Sequence, residues 1–152
     1  MVSRFERFTV AISALYRYWH KIAADEMKKY GLKGPYAVYL VAMSRHPQGV
    51  TATKLCEACS RDKADVSRAV AAMEHKGLVR REENNGSLYR GQIKLTPAGE
   101  KAARHVRACA NAAVEIGGKG LSDEQRRMFY DILDTIAANL EAFSKEGSSL
   151  LA

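Results

Sequence analysis

The sequence predicts a mainly α-helical fold carrying one small β-hairpin. Three observations predict it. Apolar residues recur at three- and four-residue spacing over most of the chain. That period gives way to alternation in one stretch only, around Asn84-Asn85-Gly86-Ser87. Gly and Pro mark the boundaries between the periodic stretches.

Taken in order, Phe5, Phe8, Ile12, Leu15, Trp19, Ile22, Ala23 and Met27 form the stripe of a long amphipathic helix, Phe5 to Tyr30, ended by Gly31. Gly34-Pro35 opens a second helix running to about Arg45. Proline suits its first turn, where the missing N–H would have no partner anyway. His46-Pro47-Gln48-Gly49 is a turn, and Thr51 caps a short third helix from Ala52 to Cys59. Ser60-Arg61 separates it from a fourth, Asp62 to Lys76, closed by Gly77. Leu78 to Glu83 and Leu88 to Leu95 are extended and flank the Asn-Gly turn. Thr96-Pro97, a cap and then a first-turn proline, starts a fifth helix to about Ile116. Gly117-Gly118-Lys119-Gly120 breaks it. Ser122-Asp123-Glu124-Gln125 then has the form of a capping box and launches a sixth helix. Phe129, Ile132, Leu133, Ile136, Leu140 and Phe143 share one stripe of that helix. There is no internal repeat and no low-complexity tract.

At 152 residues and 47% apolar content, the chain is one domain with extended arms, and it has enough apolar surface to exclude disorder. Lys and Arg number 24 against 17 Asp and Glu, a net +7, with a pI near 9.4. This favours an anionic partner, nucleic acid first. The surplus lies at the front: residues 1–50 carry +5, residues 51–100 carry +2, and the rest is neutral. The longest apolar run, Ala37 to Met43, is too short to span a bilayer, and the N-terminus has Arg4, Glu6 and Arg7 inside an amphipathic pattern with no signal-peptide core. Three cysteines argue against a disulfide framework. A soluble, cytoplasmic protein is expected.

A short helix, a three-residue turn, a longer helix and a hairpin form the layout of a winged helix-turn-helix, here over 35–96. An N-terminal helix over 1–34 and C-terminal helices over 97–152 remain, and roughly half the chain is more than such a domain needs. Two amphipathic arms at opposite ends are most simply a shared dimer interface, with Phe5, Phe8, Ile12, Phe129, Ile132, Leu133, Ile136 and Leu140 in its seam. A monomeric helical cap folded back on the core is the alternative. In the fourth helix, Val66, Ala69, Val70 and Met73 project to one side, toward Leu55 and the second helix. The other side presents Ala64, Ser67, Arg68, Ala71, Ala72 and His75. A solvated face would be richer in Glu and Lys, whereas small residues with a few polar groups can lie close to base edges. Alanine is also simply a good helix former; the hairpin that follows decides for the groove. In its second strand Leu88, Arg90, Gln92 and Lys94 alternate with Tyr89, Ile93 and Leu95. Arg90 and Lys94, with Tyr89 between them and the turn, are candidate contacts to phosphates or the minor groove. Charge on an edge strand also guards against aggregation.

Read together, these stretches resemble the MarR family of bacterial and archaeal transcription regulators over nearly the whole chain. They are Gly34-Pro35-Tyr36-Ala37-Val38-Tyr39-Leu40, Thr53-Lys54-Leu55-Cys56, Asp62 through Val70, Met73 through Val79, Leu95-Thr96-Pro97-Ala98-Gly99 and Leu121-Ser122-Asp123-Glu124. The resemblance implies a homodimer with the first, fifth and sixth helices intertwined, two winged domains on a palindromic double-stranded DNA site, and a ligand pocket beside the dimer helices. The family's wing carries an Asp-Arg pair a few residues before the Leu-Thr. Here Ser87, Leu88 and Tyr89 stand at those positions, and Arg90 is the nearest substitute.

Arg68 and Ser67 occupy the family's groove-facing polar positions, and Arg68 has the geometry to take a guanine or a phosphate. Asp65 either accepts from cytosine or serves the helix start at the position three after its Asp62 cap; the second role is favoured. Arg61 and Lys63 flank that start and suit phosphate. Tyr16, Trp19, His20, Tyr36, Tyr39 and Met43 form a candidate pocket for a small aromatic or phenolic effector, although aromatic residues at helical spacing are as well explained by core and seam. Cys56 and Cys59 form a C-x-x-C. A structural zinc wants four ligands, no second pair exists, and His20, His46, His75 and His105 are scattered over four segments. Core thiols are expected, Cys109 included, with no metal and no cofactor. The family's peroxide sensors carry a reactive cysteine in the first helix, which here has none. No nucleophile–base or paired-carboxylate arrangement suggests an enzyme. The expectation is a ligand-responsive homodimeric repressor. The alternatives are a redox or metal-responsive protein using Cys56 and Cys59, or a helical protein-interaction module.

Overall fold

A computed structural model of the protein describes the backbone of residues 3–84 and 87–147, and their side chains apart from those of 83–90. The chain runs as α1 (Arg4–Met27), a 3-10 turn (Lys28–Tyr30), a second 3-10 turn (Gly34–Tyr36), α2 (Ala37–Met43), α3 (Ala52–Cys59) and α4 (Lys63–His75). Strands β1 (Val79–Asn84) and β2 (Ser87–Leu95) follow, then α5 (Pro97–Gly117) and α6 (Asp123–Glu146). This is a winged helix-turn-helix with long terminal helices, in the element order read from the sequence. Two compact units are distinguished, Met1–Asn111 and Ala112–Ala152, and α5 runs through the division.

The first unit holds the core. Met27, Tyr39, Leu40, Met43, Leu55, Val66, Val70 and Met73 are buried together, where each large apolar side chain stabilises the fold by about 1.5–3 kcal/mol. α2 packs on α3 and β2, and α4 packs on α3 and β1. Short helices need their ends satisfied, and they are. Thr51 accepts from the Lys54 N–H at 3.3 Å, and Asp62 from the Asp65 N–H at 2.8 Å. α1 begins with a capping box, Ser3 with Glu6, spelled by Ser-x-x-Glu across the expected helix start at Phe5.

The first helix closes with a 3-10 turn, and the second helix opens with one in place of an α-helical turn. The cause is packing. Gly34 lies so close to α1 that a Cβ there would come within 2.8 Å of the Ala24 nitrogen. The wing is a two-stranded antiparallel sheet pairing Val79 with Leu95 and Arg81 with Ile93, irregular between Glu82 and Asn84. Val50 adds a bridge to it, exchanging hydrogen bonds of 3.0 and 2.8 Å with Ile93.

Leu78 joins α4, the wing and α5. Its N–H donates to the Met73 carbonyl at 2.9 Å, and its carbonyl accepts from the Thr96 N–H at 3.0 Å. Thr96 donates its hydroxyl to the Gly77 carbonyl at 2.6 Å and accepts from the Gly99 N–H at 3.1 Å. A Cβ on Gly99 would lie 1.8 Å from the Leu78 carbonyl oxygen, so only glycine fits.

The second unit, taken by itself, is a helical hairpin. Its turn is held by Arg126, whose guanidinium donates to Glu115 at 2.7 Å and to the Gly118 carbonyl at 3.0 Å. Ser122 and Gln125 form the expected capping box at 3.2 and 2.8 Å. No described residue of α6 is buried: Phe129, Ile132, Leu133, Leu140 and Phe143 are exposed and Ile136 is half-buried. Among the described residues no helix is long and apolar enough to cross a membrane.

Gly99→Ala tests the joint. Alanine gains about 1 kcal/mol of helix propensity over glycine, yet the clash should cost about 3 kcal/mol by overpacking. A marked fall in the thermal unfolding midpoint is expected; a midpoint at or above the wild type would show that the close approach does not exist.

Candidate nucleic-acid interface

On α4, the seam of Val66, Ala69, Val70 and Met73 is buried, and Ala64, Ser67, Arg68, Ala71 and His75 are exposed on the other side. Ala72, expected among them, is half-buried and packs on the core, because it stands at the edge of the seam. The exposed face is therefore narrow and nearly without long side chains; Ser67 and Arg68 are its polar groups near the middle. Lys63 and Arg61 are exposed at the helix start. Asp65 uses its N–H on the Asp62 cap, and its carboxylate accepts from Arg68 at 2.9 Å and faces Arg61 at 3.9 Å. One carboxylate thus holds two arginines at the N-terminal end of the face, leaving a local charge of +1.

The wing differs from expectation. Lys94 is half-buried and paired with Glu82 at 2.7 Å, so it is not the open cation that strand alternation suggested. Its cross-strand neighbour is Arg80, and Glu82 takes that cation too, at 2.6 Å, relieving two like charges placed opposite one another. The Lys94 hydrogen bond, more than the surrounding charge, holds the Glu82 carboxyl below its usual range. Exposed Arg80 is a wing cation that the sequence reading did not single out. Tyr89 and Arg90 are in β2, but their side chains lie outside the described residues.

The six residues proposed for an effector pocket do not come together. Tyr39 and Met43 are buried in the core, and burial pushes the Tyr39 hydroxyl up to about 12. The Tyr36 and Tyr39 rings lie tilted with centroids 6.1 Å apart, while Tyr16 and His20 form a separate tilted pair at 3.9 Å along α1. Trp19 alone of the six lines an apolar cavity of about 230 Å³ among α1, α2 and α5. Ile22, Val38, Val41 and Val106 are among its apolar lining, and Glu26 and Cys109 add polar groups. Helical spacing shows which residues share a face; the return of α5 against α1, which makes the cavity, leaves no local signal.

Cys56 and Cys59 are half-buried against the core, and burial pushes the Cys59 thiol up, which makes it a poor nucleophile. Cys109 is differently placed. Its sulfur lies 3.8 Å from His105 Nε2, which is 2.6 Å from Glu26, and Lys29 Nζ reaches both Glu26 oxygens at 3.0 Å. Burial pushes the Glu26 carboxyl up, but hydrogen bonds from Lys29 and Cys109 and the charges of Lys29 and His105 outweigh it, leaving it below its usual range.

A winged helix-turn-helix with a small-residue face on α4 and long terminal helices defines the class of fold. Residues 30–87 match the model of the MarR family. A MarR transcriptional regulator from Methanosarcina mazei Go1 is 25% identical, with a TM-score of 0.75, over 91% of this chain and 99% of that one. A putative MarR family regulator from Listeria monocytogenes, complexed with 26-mer DNA, is 22% identical over 91% and 94%, TM-score 0.77. The S. aureus MepR–DNA complex is 18% identical over 87% and 97%, TM-score 0.79. No curated protein matches the sequence significantly. Over residues 30–87 the chain matches the MarR family model, and over nearly its whole length it shares the fold of MarR-family structures.

The Asp62 cap supports the start of the reading helix, so Asp62→Ala should cost about 1 kcal/mol and Asp62→Ser only a few tenths. Chemical denaturation of both variants checks this, and equal losses would remove the cap from the account.

Proposed function

We propose that the protein binds double-stranded DNA sequence-specifically as a homodimeric, ligand-responsive repressor. The observation that carries the reading is the exposed face of α4. Small side chains let the helix backbone approach base edges in a major groove, and Ser67 and Arg68 are placed to read them. Arg61 and Lys63 contact phosphate at the helix start, with Ala64 and Asp65 along the same edge. The hairpin, with Arg80, Tyr89, Arg90 and Lys94, lies on the flanking backbone. The two neighbours solved with DNA support this assignment.

The division of labour we propose is a reading domain over 35–96 between dimerisation helices over 1–34 and 97–152. Exposure of Phe5, Phe8, Ile12, Phe129, Ile132, Leu133 and Leu140 in the single chain supports it, since apolar surface on this scale marks an interaction site. A twofold dimer then reads a palindrome with half-sites about 34 Å apart. The cavity beside Trp19 is where a small aromatic or phenolic effector would act, by favouring one of two dimer geometries.

Fluorescence anisotropy against DNA from upstream of the protein's own gene, beside a scrambled duplex and at two salt concentrations, tests the reading. Tighter binding to the native duplex that weakens steeply with salt is expected. Arg68→Ala should cost about 1–3 kcal/mol on that duplex and little on the scrambled one. Equal, weak binding to both duplexes would overturn the assignment.

Leu133→Asp tests the arms. Light scattering should give a dimer for the wild type and a monomer for the variant, with native DNA binding weakened in parallel. A wild-type monomer would show that the helices fold back as a cap.

A further inference from the structure

We propose that Glu26, His105 and Cys109 form a binding site for a single zinc ion between α1 and α5. The three residues offer a carboxylate oxygen, an imidazole nitrogen and a sulfur, and these atoms all lie within 4.8 Å of one another. His105 and Cys109 are four residues apart on α5, one turn above the other on one face, and Glu26 meets them from the last turn of α1. Mixed nitrogen, sulfur and oxygen donors suit Zn²⁺, whereas Mg²⁺ and Ca²⁺ take oxygen.

The distances fit. With bonds of about 2.0–2.3 Å, tetrahedral ligand atoms stand about 3.3–3.7 Å apart. Cys109 and His105, at 3.8 Å, already have that separation. Glu26 and His105, at 2.6 Å in their hydrogen bond, must open by somewhat less than about 1 Å, within the reach of a side-chain rotation. Glu26 is only 13% exposed, so it is held in place. Glu26 and Cys109 also border the apolar cavity, which leaves room for a fourth ligand, a water or a cavity occupant.

A cation already marks the position. Lys29 Nζ sits 3.0 Å from both Glu26 oxygens and 3.3 Å from His105 Nε2. Lys29 is exposed on a flexible stem, so a divalent ion can displace it into solvent. On binding, the thiol of Cys109 becomes a thiolate and its proton passes to solvent. The ordinary alternative is a hydrogen-bonded ion pair with a bystander cysteine. The proposal stands independently of DNA binding.

Cobalt titration of the full-length protein separates the two, because thiolate–Co²⁺ coordination produces a charge-transfer absorption that an ion-pair network cannot. The expected result is a band saturating at one Co²⁺ per chain and abolished by one equivalent of Zn²⁺. Cys109→Ser should remove the band. His105→Ala should weaken Co²⁺ binding by more than ~100-fold, beyond the roughly 10–100-fold that loss of a supporting contact costs. Lys29→Ala should tighten binding several-fold, and the Cys56→Ser/Cys59→Ser double variant should leave it unchanged. Circular dichroism of each variant establishes that the fold is kept. Absence of the band in the wild type, its survival in Cys109→Ser, or its loss in the Cys56/Cys59 double variant would each overturn the site.

Discussion

The burial of one side of α4 is the constraint on which the rest of the molecule depends. Val66, Ala69, Val70 and Met73 lock the helix into the core, and this fixes the rotation about its axis and so which residues point outward. A turn of one residue would bring Asp65 or Ser67 into the core and put Val66 outside. The same helix ends on Met73, whose carbonyl holds the Leu78 N–H, and Leu78 in turn holds Thr96 and excludes a side chain from Gly99. Reading face, wing and the root of α5 are thus set by one run of short-range contacts. The Leu-Thr-Pro-Ala-Gly stretch has a physical meaning in this light. Leucine packs, threonine caps in both directions, proline begins the helix, and glycine admits the carbonyl.

Electrostatics play a smaller part near the reading face than the net charge of +7 suggests. Arg68 and Arg61 are matched by Asp65, Arg80 and Lys94 by Glu82, and Arg81 by Glu74 at 3.2 Å. Most of these pairs are well exposed and so worth about 0–1 kcal/mol each. In the proposed DNA complex, exchange of a carboxylate for a phosphate therefore costs little, while the carboxylates hold the cations in place beforehand. In that proposed complex, fit in the groove carries more of the discrimination than bulk attraction does. The acidic partners also temper the sequence-independent binding that free arginines would give.

What the sequence made legible was local. Asp62, Thr51 and Ser122 announce helix starts through side chains that reach an N–H three residues on, and the structure has each of them. The four-residue period of α4 identified its buried side correctly. What it hid was long-range. Nothing around Val50 indicates that it pairs with Ile93, nor does strand alternation show that Glu82 will hold Lys94. Tyr39 and Met43 looked like pocket residues because aromatic and sulfur side chains suit both core and ligand, and only the packing of α2 assigns them to the core. Glu26, His105 and Cys109 lie far apart in the chain, and their meeting depends on α5 returning beside α1.

α5 therefore stands at the centre of the regulation we propose. Its first turn is pinned by Thr96 and Gly99 to the reading domain, its middle contributes Val106 and Cys109 to the cavity wall, and its last turns pass into the second unit. A helix with no fully buried described residue, as α6 is, draws little stability from propensity alone, since most helical stability in proteins comes from packing of an amphipathic face. In the proposed dimer the arms are ordered by what covers them. An occupant of the cavity touches α1 and α5 together, so it need favour one arrangement by only about 1.4 kcal/mol to shift the population tenfold. The apolar walls around Trp19 and Val106 can supply a difference of that size by burying two methylenes more in one arrangement than in the other. Regulation by so small an energy needs a pinned reading head, because slack between α5 and α4 would absorb the change before it reached the DNA.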